Sequence, residues 1–487
     1  MSAPPEIASD RQVSVRTRVF YGIGSIADGT KNAVFNGFLI LYYTTVLGLP
    51  GTMSGLAIFI AMCVDGISDP LVGSVSDNFR SKWGRRHPFM YAAAVPMGLS
   101  FYGLFAPPES LTEFGLFVWL TSFSIGVRLF LTLYMVPSGA MGPEMTKHYD
   151  ERTSLVSYRW LIGWTGSIFV TVAGWTYFLD DAENTLGQAR LEASNYPALG
   201  AFAGVVACLA ILTSAAGTHH LIPQLRKPLR DGPIFSWARF VREIRTALRS
   251  HSLRTVLLAS LFAAAAMGID EVLRTYMSTW FWELHTDEIG MLSGLSLIGL
   301  VAGVAMVRPL SERMDKRTAV MRLGTFAVLW GPLLILLRFA GIAPENGDPM
   351  LFWWIVAHGA PLVTAVIQIA ILNSSMIMDA IDENEFETGE RQEGVFISAI
   401  TFTGKAVSGF GNFLGGVLLD VIDFPQGAAG AAVGNVPEAT ILSLGLIAGP
   451  GLTIFYLASV FVISRLRLTR ERYAEIAAAL HARREQP

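Results

Sequence analysis

Apolar residues are concentrated in runs at roughly 19–47, 54–77, 88–106, 113–142, 153–179, 198–222, 254–282, 289–311, 319–340, 350–380, 393–421 and 438–465. Each is long enough to cross a hydrocarbon layer about 30 Å thick as a helix. The pattern therefore predicts twelve transmembrane helices and an all-α membrane protein. Gly and Pro recur inside the runs, as expected where helices pack closely or bend in a bilayer. The connections alternate in charge. One set is basic: the N-terminus with Arg11, Arg16 and Arg18, the 78–87 loop, Lys147 and Arg152, the 223–253 connection, Arg313 to Arg317, and the tail after Arg465. The other set is acidic or neutral, with Arg190 as its clear base. Basic connections stay in the cytoplasm, so both termini are expected there.

The long connection carries Arg226, Lys227, Arg230, Arg239, Arg242, Arg245 and Arg249 and divides the chain into two halves of six helices. The expected organisation is a cytoplasmic N-terminus (1–18), a first bundle (19–222), a cytoplasmic linker (223–253), a second bundle (254–466) and a cytoplasmic tail (467–487). The second part of the linker places Ile234, Trp237, Phe240, Val241, Ile244 and Leu248 at helical spacing, the pattern either of a helix lying on the membrane surface or of a solvated linker helix. The tail from Leu468, with Ile476, Ala479 and Leu480 on one side, reads as a short helix.

Composition strengthens the membrane reading and excludes other classes. With 52% apolar and 15% charged residues over 487, and a mean hydropathy of +0.46, the chain is too apolar for a soluble protein of its size. Its net charge of −3 offers nucleic acid no partner. The two cysteines, Cys63 and Cys208, lie inside apolar runs and build no disulfide framework. The polar, acidic start MSAPPEIASDRQ is not expected to be a cleavable signal peptide. HExxH, GxSxG and CxxC motifs are missing, so an integral membrane enzyme is not expected.

Ionisable residues at spanning depth point to function, because a charge at the bilayer centre costs a few kcal/mol even on lenient scales. Asp65 and Asp69 stand four residues apart on one helical face of the second run, which ends in Arg80, Lys82, Arg85, Arg86 and His87. The pair reads as an ion or proton site; the structural alternative is a helix cap or a silent ion pair. Asp28 and Lys31, Arg128, Arg159, Asp270, Glu271, Arg274 and Lys405 add acids and bases from both halves. Such a set would line a polar cavity between two halves that alternate access. Asp270 and Arg274 are spaced to neutralise each other within one turn, whereas the partner of Lys405 has to come from another helix.

The segments YGIGSIADG…LYYTTVLGLP, DGISDPLVGSVSDNFRSKWGRRHPF, ERTSLVSYR and TGERQEGVFISAITFTGKAVSGF resemble the glycoside–pentoside–hexuronide cation symporters, the branch of the major facilitator superfamily that includes melibiose permease. The GRRHPF loop is also similar to that of plant sucrose transporters, and the resemblance runs from about residue 18 to 466. It implies the major facilitator fold, an inner (cell) membrane location and coupling to Na⁺ or H⁺ with no other cofactor. It places the cation site at Asp65, Asp69, Thr132 and Lys405, with Na⁺ possible at the two carboxylates and Lys405 neutralising them once the cation leaves. The candidate substrate site comprises Asp28, Asn32, Arg128, Met135, Arg159 and Thr401, and the basic loop after the second run, with Asp77, Arg85 and Arg86, is the candidate gating loop.

The substrate site departs from the family. Its helix 1 Lys-Asp falls on Asp28-Gly29, its helix 4 carboxylate on Met135 and its helix 4 tryptophan on Gly139. Without the acid that grips sugar hydroxyls and the ring that stacks on a pyranose, the pocket is not built for a neutral galactoside. Arg128 and Arg159 would instead meet an anionic substrate such as a uronate or a sulfonated sugar, unless Arg128 pairs with Asp28 or another acid. The expectation is a monomeric cation-coupled symporter in the lipid bilayer, carrying a glycoside, a hexuronide or a related small solute. The main alternative is a carrier of lysolipid-like amphiphiles, whose relatives keep the acids and the lysine around a more apolar pocket; a non-transporting sensor is the remaining one.

Overall fold

The structure is a computed structural model that describes residues 13–146, 149–181, 188–225, 251–388, 393–466, 468 and 470–485. Every apolar run coincides with helix, and no strand occurs among the described residues. Nine of the helical stretches are long and apolar enough to cross a membrane on length and composition alone, among the described residues. The linker residues 226–250, with their amphipathic pattern, lie outside the described residues.

Contacts divide the chain into two compact units, Met1–Leu49 with Ile60–Asp180 and Ala189–Phe235, and Pro50–Phe59 with Asp181–Gln188 and Ser236–Pro487. The first unit contains α1 (Val15–Ile23), α2 (Ile26–Val34), most of α3 (Gly51–Asn78), α4 (His87–Phe105), α5 (Glu113–Met145), α6 (Tyr149–Ala173) and α7 (Tyr196–Thr218). Ser14 caps α1 by accepting from the Thr17 N–H at 3.2 Å. The first apolar run is interrupted at residues 24–25, and position 24 has to be glycine because the Tyr134 hydroxyl fills the space that a Cβ would take. That hydroxyl donates to Ser214 at 2.8 Å, a bond that ties α5 to α7. Just beyond the break, α2 crosses α6 backbone to backbone, and a Cβ on Gly29 would sit 2.1 Å from the Gly163 carbonyl oxygen. Small residues at such crossings replace the hydrophobic drive that lipid does not supply.

The second unit contains α8 (His251–Tyr276), α9 (Thr286–Arg313), α10 (Lys316–Trp330), α11 (Leu333–Phe339), α12 (Pro349–Thr388), α13 (Glu393–Val421), α14 (Glu438–Leu446), α15 (Leu452–Ile463) and α16 (Arg470–Glu485). It also takes in Pro50–Phe59, which the charge pattern alone assigns to the first half. The reason is local: the Asp420 carboxylate accepts from the Gly51 and Thr52 N–H groups at 2.9 and 2.7 Å, capping the positive end of α3. Asp270 and Arg274 pair within one turn of α8, as their spacing predicts. The tail helix α16 buries Ile476 and Leu480 against a cluster that includes Val256, Leu372 and Ile463. Its Tyr473 donates to Asp382 at 3.0 Å and lies 5.5 Å from the ammonium of Lys316, which bonds Asp379 at 2.6 Å.

Candidate ion and substrate site

Helical spacing on α3 and α5 builds the first part of the site. Asp65 and Asp69 are one turn apart on α3, and Arg128 and Thr132 one turn apart on α5. The Thr132 hydroxyl lies 2.8 Å from Asp65 Oδ1 and 3.0 Å from Asp69 Oδ1, so one hydroxyl serves two carboxylates. Arg128 Nη1 stands 3.5 Å from Asp65 Oδ2, and its guanidinium lies 4.9 Å from the centroid of the Phe35 ring. Asp65, Thr132 and Arg128 are buried, and Asp69 is partly exposed. Three of the four residues expected to hold a cation, Asp65, Asp69 and Thr132, are thus brought together. Lys405 lies on α13 in the second unit, half-buried.

A second constellation surrounds Arg159 on α6. Its Nη1 donates to the Tyr21 hydroxyl at 3.1 Å, its Nε to Ser25 at 3.4 Å and its Nη2 to the Met135 sulfur at 3.5 Å. A Cβ on Gly139 would meet Arg159 Nη1 at 3.2 Å, so glycine there makes room for the guanidinium. Among the described residues no carboxylate forms an ion pair with Arg159. Asp28 instead pairs with Lys31 at 3.3 Å and accepts from Asn32 at 3.4 Å. Met135 and Arg159 therefore stand together and Asp28 and Asn32 stand together, while Arg128 joins the cation set instead of Arg159. The reason is the i, i+4 relation to Thr132, which aims both side chains at Asp65. The side chain of Thr401 lies outside the described residues.

The residues expected to gate form a third cluster, at the end of α3 and α5. Glu144 accepts from Arg86 at 2.8 Å and from Arg85, while Asp77 lies 3.5 Å from Arg85 and 3.6 Å from Arg86. All four belong to the first unit. Burial lowers the pKa of Arg86 from its ordinary value, and the adjacent Glu144 pulls it back up. Sequence reasoning missed Tyr21, Ser25 and Phe35 as participants. Spacing offered a signal for Phe35, which follows Asp28 by seven, whereas Tyr21 and Ser25 lie on either side of the break at Gly24.

A family model described as MFS/sugar transport protein matches residues 20–470. The chain belongs to that family. It is therefore a multi-pass membrane transporter of the major facilitator superfamily and not an enzyme. An uncharacterized symporter, sll1374, of Synechocystis is 23% identical, with 98% of each chain covered. The glucuronide carrier protein homolog of Escherichia coli is 22% identical, over 98% of this chain and 97% of its own. The fold of this family member is also that of the xylose transporter XylE from Escherichia coli, with a TM-score of 0.60 at 13% identity over 95% of this chain and 98% of the other.

Proposed function

We propose that this transporter is a symporter coupled to Na⁺ or H⁺ that carries a small glycoside or hexuronide bearing an anionic group, by alternating access in the cell (inner) membrane with both termini cytoplasmic. The observation that carries the coupling is the shared hydroxyl of Thr132 between two carboxylates inside membrane-spanning helices. Carboxylate and hydroxyl oxygens are the hard donors that a bare monovalent cation or a proton needs. Lys405 enters the proposal from the family resemblance alone. The anionic group is inferred from Arg159, whose planar fork is occupied by a phenol, a hydroxyl and a thioether, three weak partners that a carboxylate or sulfonate would outcompete. The Escherichia coli relative named for glucuronide supports that inference. The working organisation is the two six-helix bundles 19–222 and 254–466, joined by the cytoplasmic linker 223–253, acting as a monomer.

One feature favours a second reading. Met135 and Gly139 place apolar groups beside Arg159, an arrangement that would also suit the phosphate and the acyl chain of a lysolipid-like amphiphile. Uptake into proteoliposomes tests both: a glucuronide, a neutral galactoside and a lysophospholipid are offered under imposed Na⁺ and pH gradients. Accumulation of the glucuronide alone supports the first reading. Transport of the lysophospholipid alone replaces it with the second.

A further inference from the structure

The field at the paired carboxylates is set in part by a residue that the family pattern does not assign to them. We propose that Arg128 is a tethered counter-cation of the Asp65–Asp69 site, and that its guanidinium fixes how tightly a monovalent cation binds there. The proposal rests on reading that site as the coupling-ion site.

Arg128 stands one turn before Thr132 on α5, so the helix that delivers the hydroxyl ligand also delivers the charge. The two oxygens of Asp65 are divided between them: Oδ1 lies 2.8 Å from the hydroxyl and Oδ2 lies 3.5 Å from Nη1. Arg128 is 6% exposed, so solvent screens its field weakly. The Phe35 ring, 4.9 Å away, lies under its face and restrains where the cationic head moves. A guanidinium stays protonated at any working pH. With both carboxylates ionised, the charges of Asp65 (−1), Asp69 (−1) and Arg128 (+1) sum to −1 and not −2. Arg128 thus offsets one of the two negative charges that the acids present to an incoming cation. The empty site is correspondingly cheaper to keep inside the membrane.

A fixed charge of this kind trades affinity for release. An opposite charge within about 4–6 Å of a carboxylate changes its affinity for a proton by about one to three powers of ten, and another monovalent cation feels the same field. Removing the guanidinium therefore tightens cation binding, and it slows turnover once release of the cation limits the cycle.

The test uses purified full-length protein. The ion concentration that gives half of the cation-induced rise in thermal unfolding temperature is measured with Na⁺ and, in its absence, with protons. The ion to which the parent responds is then used for every variant. Arg128→Gln is expected to lower that midpoint at least about tenfold, while Arg128→Lys, which keeps the charge, stays within about threefold of the parent. Arg128→Met, which retains the packing of the stem, serves in place of the amide variant if the latter does not fold. A neutral variant whose midpoint is unchanged or raised, in a protein whose parent responds to the ion, overturns the proposal and leaves the cation site standing. A parent that responds to neither ion, and that Asp65→Asn does not alter, removes the cation site and this inference with it.

Discussion

Glu144→Gln isolates the cluster at the end of α3 and α5, because it removes one charge and keeps the shape of the side chain. The Glu144 side chain is 8% exposed and that of Arg86 is 4% exposed, whereas that of Asp77 is 53% exposed. Once Glu144 is neutral, the remaining acid lies 3.5 and 3.6 Å from the two arginines, beyond a good hydrogen bond and in contact with water. Two guanidiniums then share a mostly buried position with one screened carboxylate. Removing one partner of a buried ion pair costs about 3–5 kcal/mol, and the low end applies here because Asp77 partly compensates. At roughly 2–4 °C per kcal/mol for a body of 150–250 residues, the unfolding temperature should fall by roughly 6 °C or more. Asp77→Asn touches a screened pair and should cost under about 1 kcal/mol. Intrinsic-fluorescence melting in detergent measures both, and uptake rates in proteoliposomes show whether turnover slows with Glu144→Gln. Equal, small shifts for the two variants would refute the reasoning that burial and not proximity makes Glu144 the principal partner.

Asp69→Asn should abolish cation-driven accumulation while leaving the protein folded, since an amide of the same size still packs beside Thr132; uptake against a gradient combined with a melting curve checks both halves. Arg159→Lys should raise the substrate concentration for half-maximal transport by roughly tenfold despite keeping the charge, because the planar fork held by Tyr21, Ser25 and Met135 is lost. Burial pushes the Tyr473 hydroxyl from its ordinary value near 10 up to about 12, and its bond to Asp382 pushes it the same way. The neutral form is thus favoured by folding, so its contribution to stability is complete below pH 10 and fades as pH rises from 10 towards 12. Melting curves across that range should converge for the parent and Tyr473→Phe.

The helical membrane architecture was legible because a bilayer demands long apolar helices. The Asp65–Asp69 face followed from a four-residue spacing, and so did the Asp270–Arg274 pair. What sequence did not reveal were partners that depend on how helices cross. Arg128 was equally able to meet Asp28, a substrate or Asp65, and only the approach of α5 to α3 decides among them. The need for glycine at position 24 likewise depends on Tyr134, 110 positions away, filling the space where a Cβ would go. Arg190, the clear base of the acidic or neutral connections, is fully buried, which a charge count along a connection does not reveal because it carries no information about what folds over it. The placement of Pro50–Phe59 with the second unit depends on Asp420, again a contact between segments remote in sequence.

The most direct test of cation-coupled transport of an anionic sugar is uptake of a labelled glucuronide into proteoliposomes containing the parent or Asp65→Asn, under an imposed Na⁺ gradient and, separately, an imposed pH gradient. The parent should concentrate the glucuronide above equilibrium with one of the two gradients, and Asp65→Asn should do no more than equilibrate it. Concentration by Asp65→Asn equal to that of the parent, or glucuronide entry into parent vesicles that is indifferent to both gradients, would contradict it.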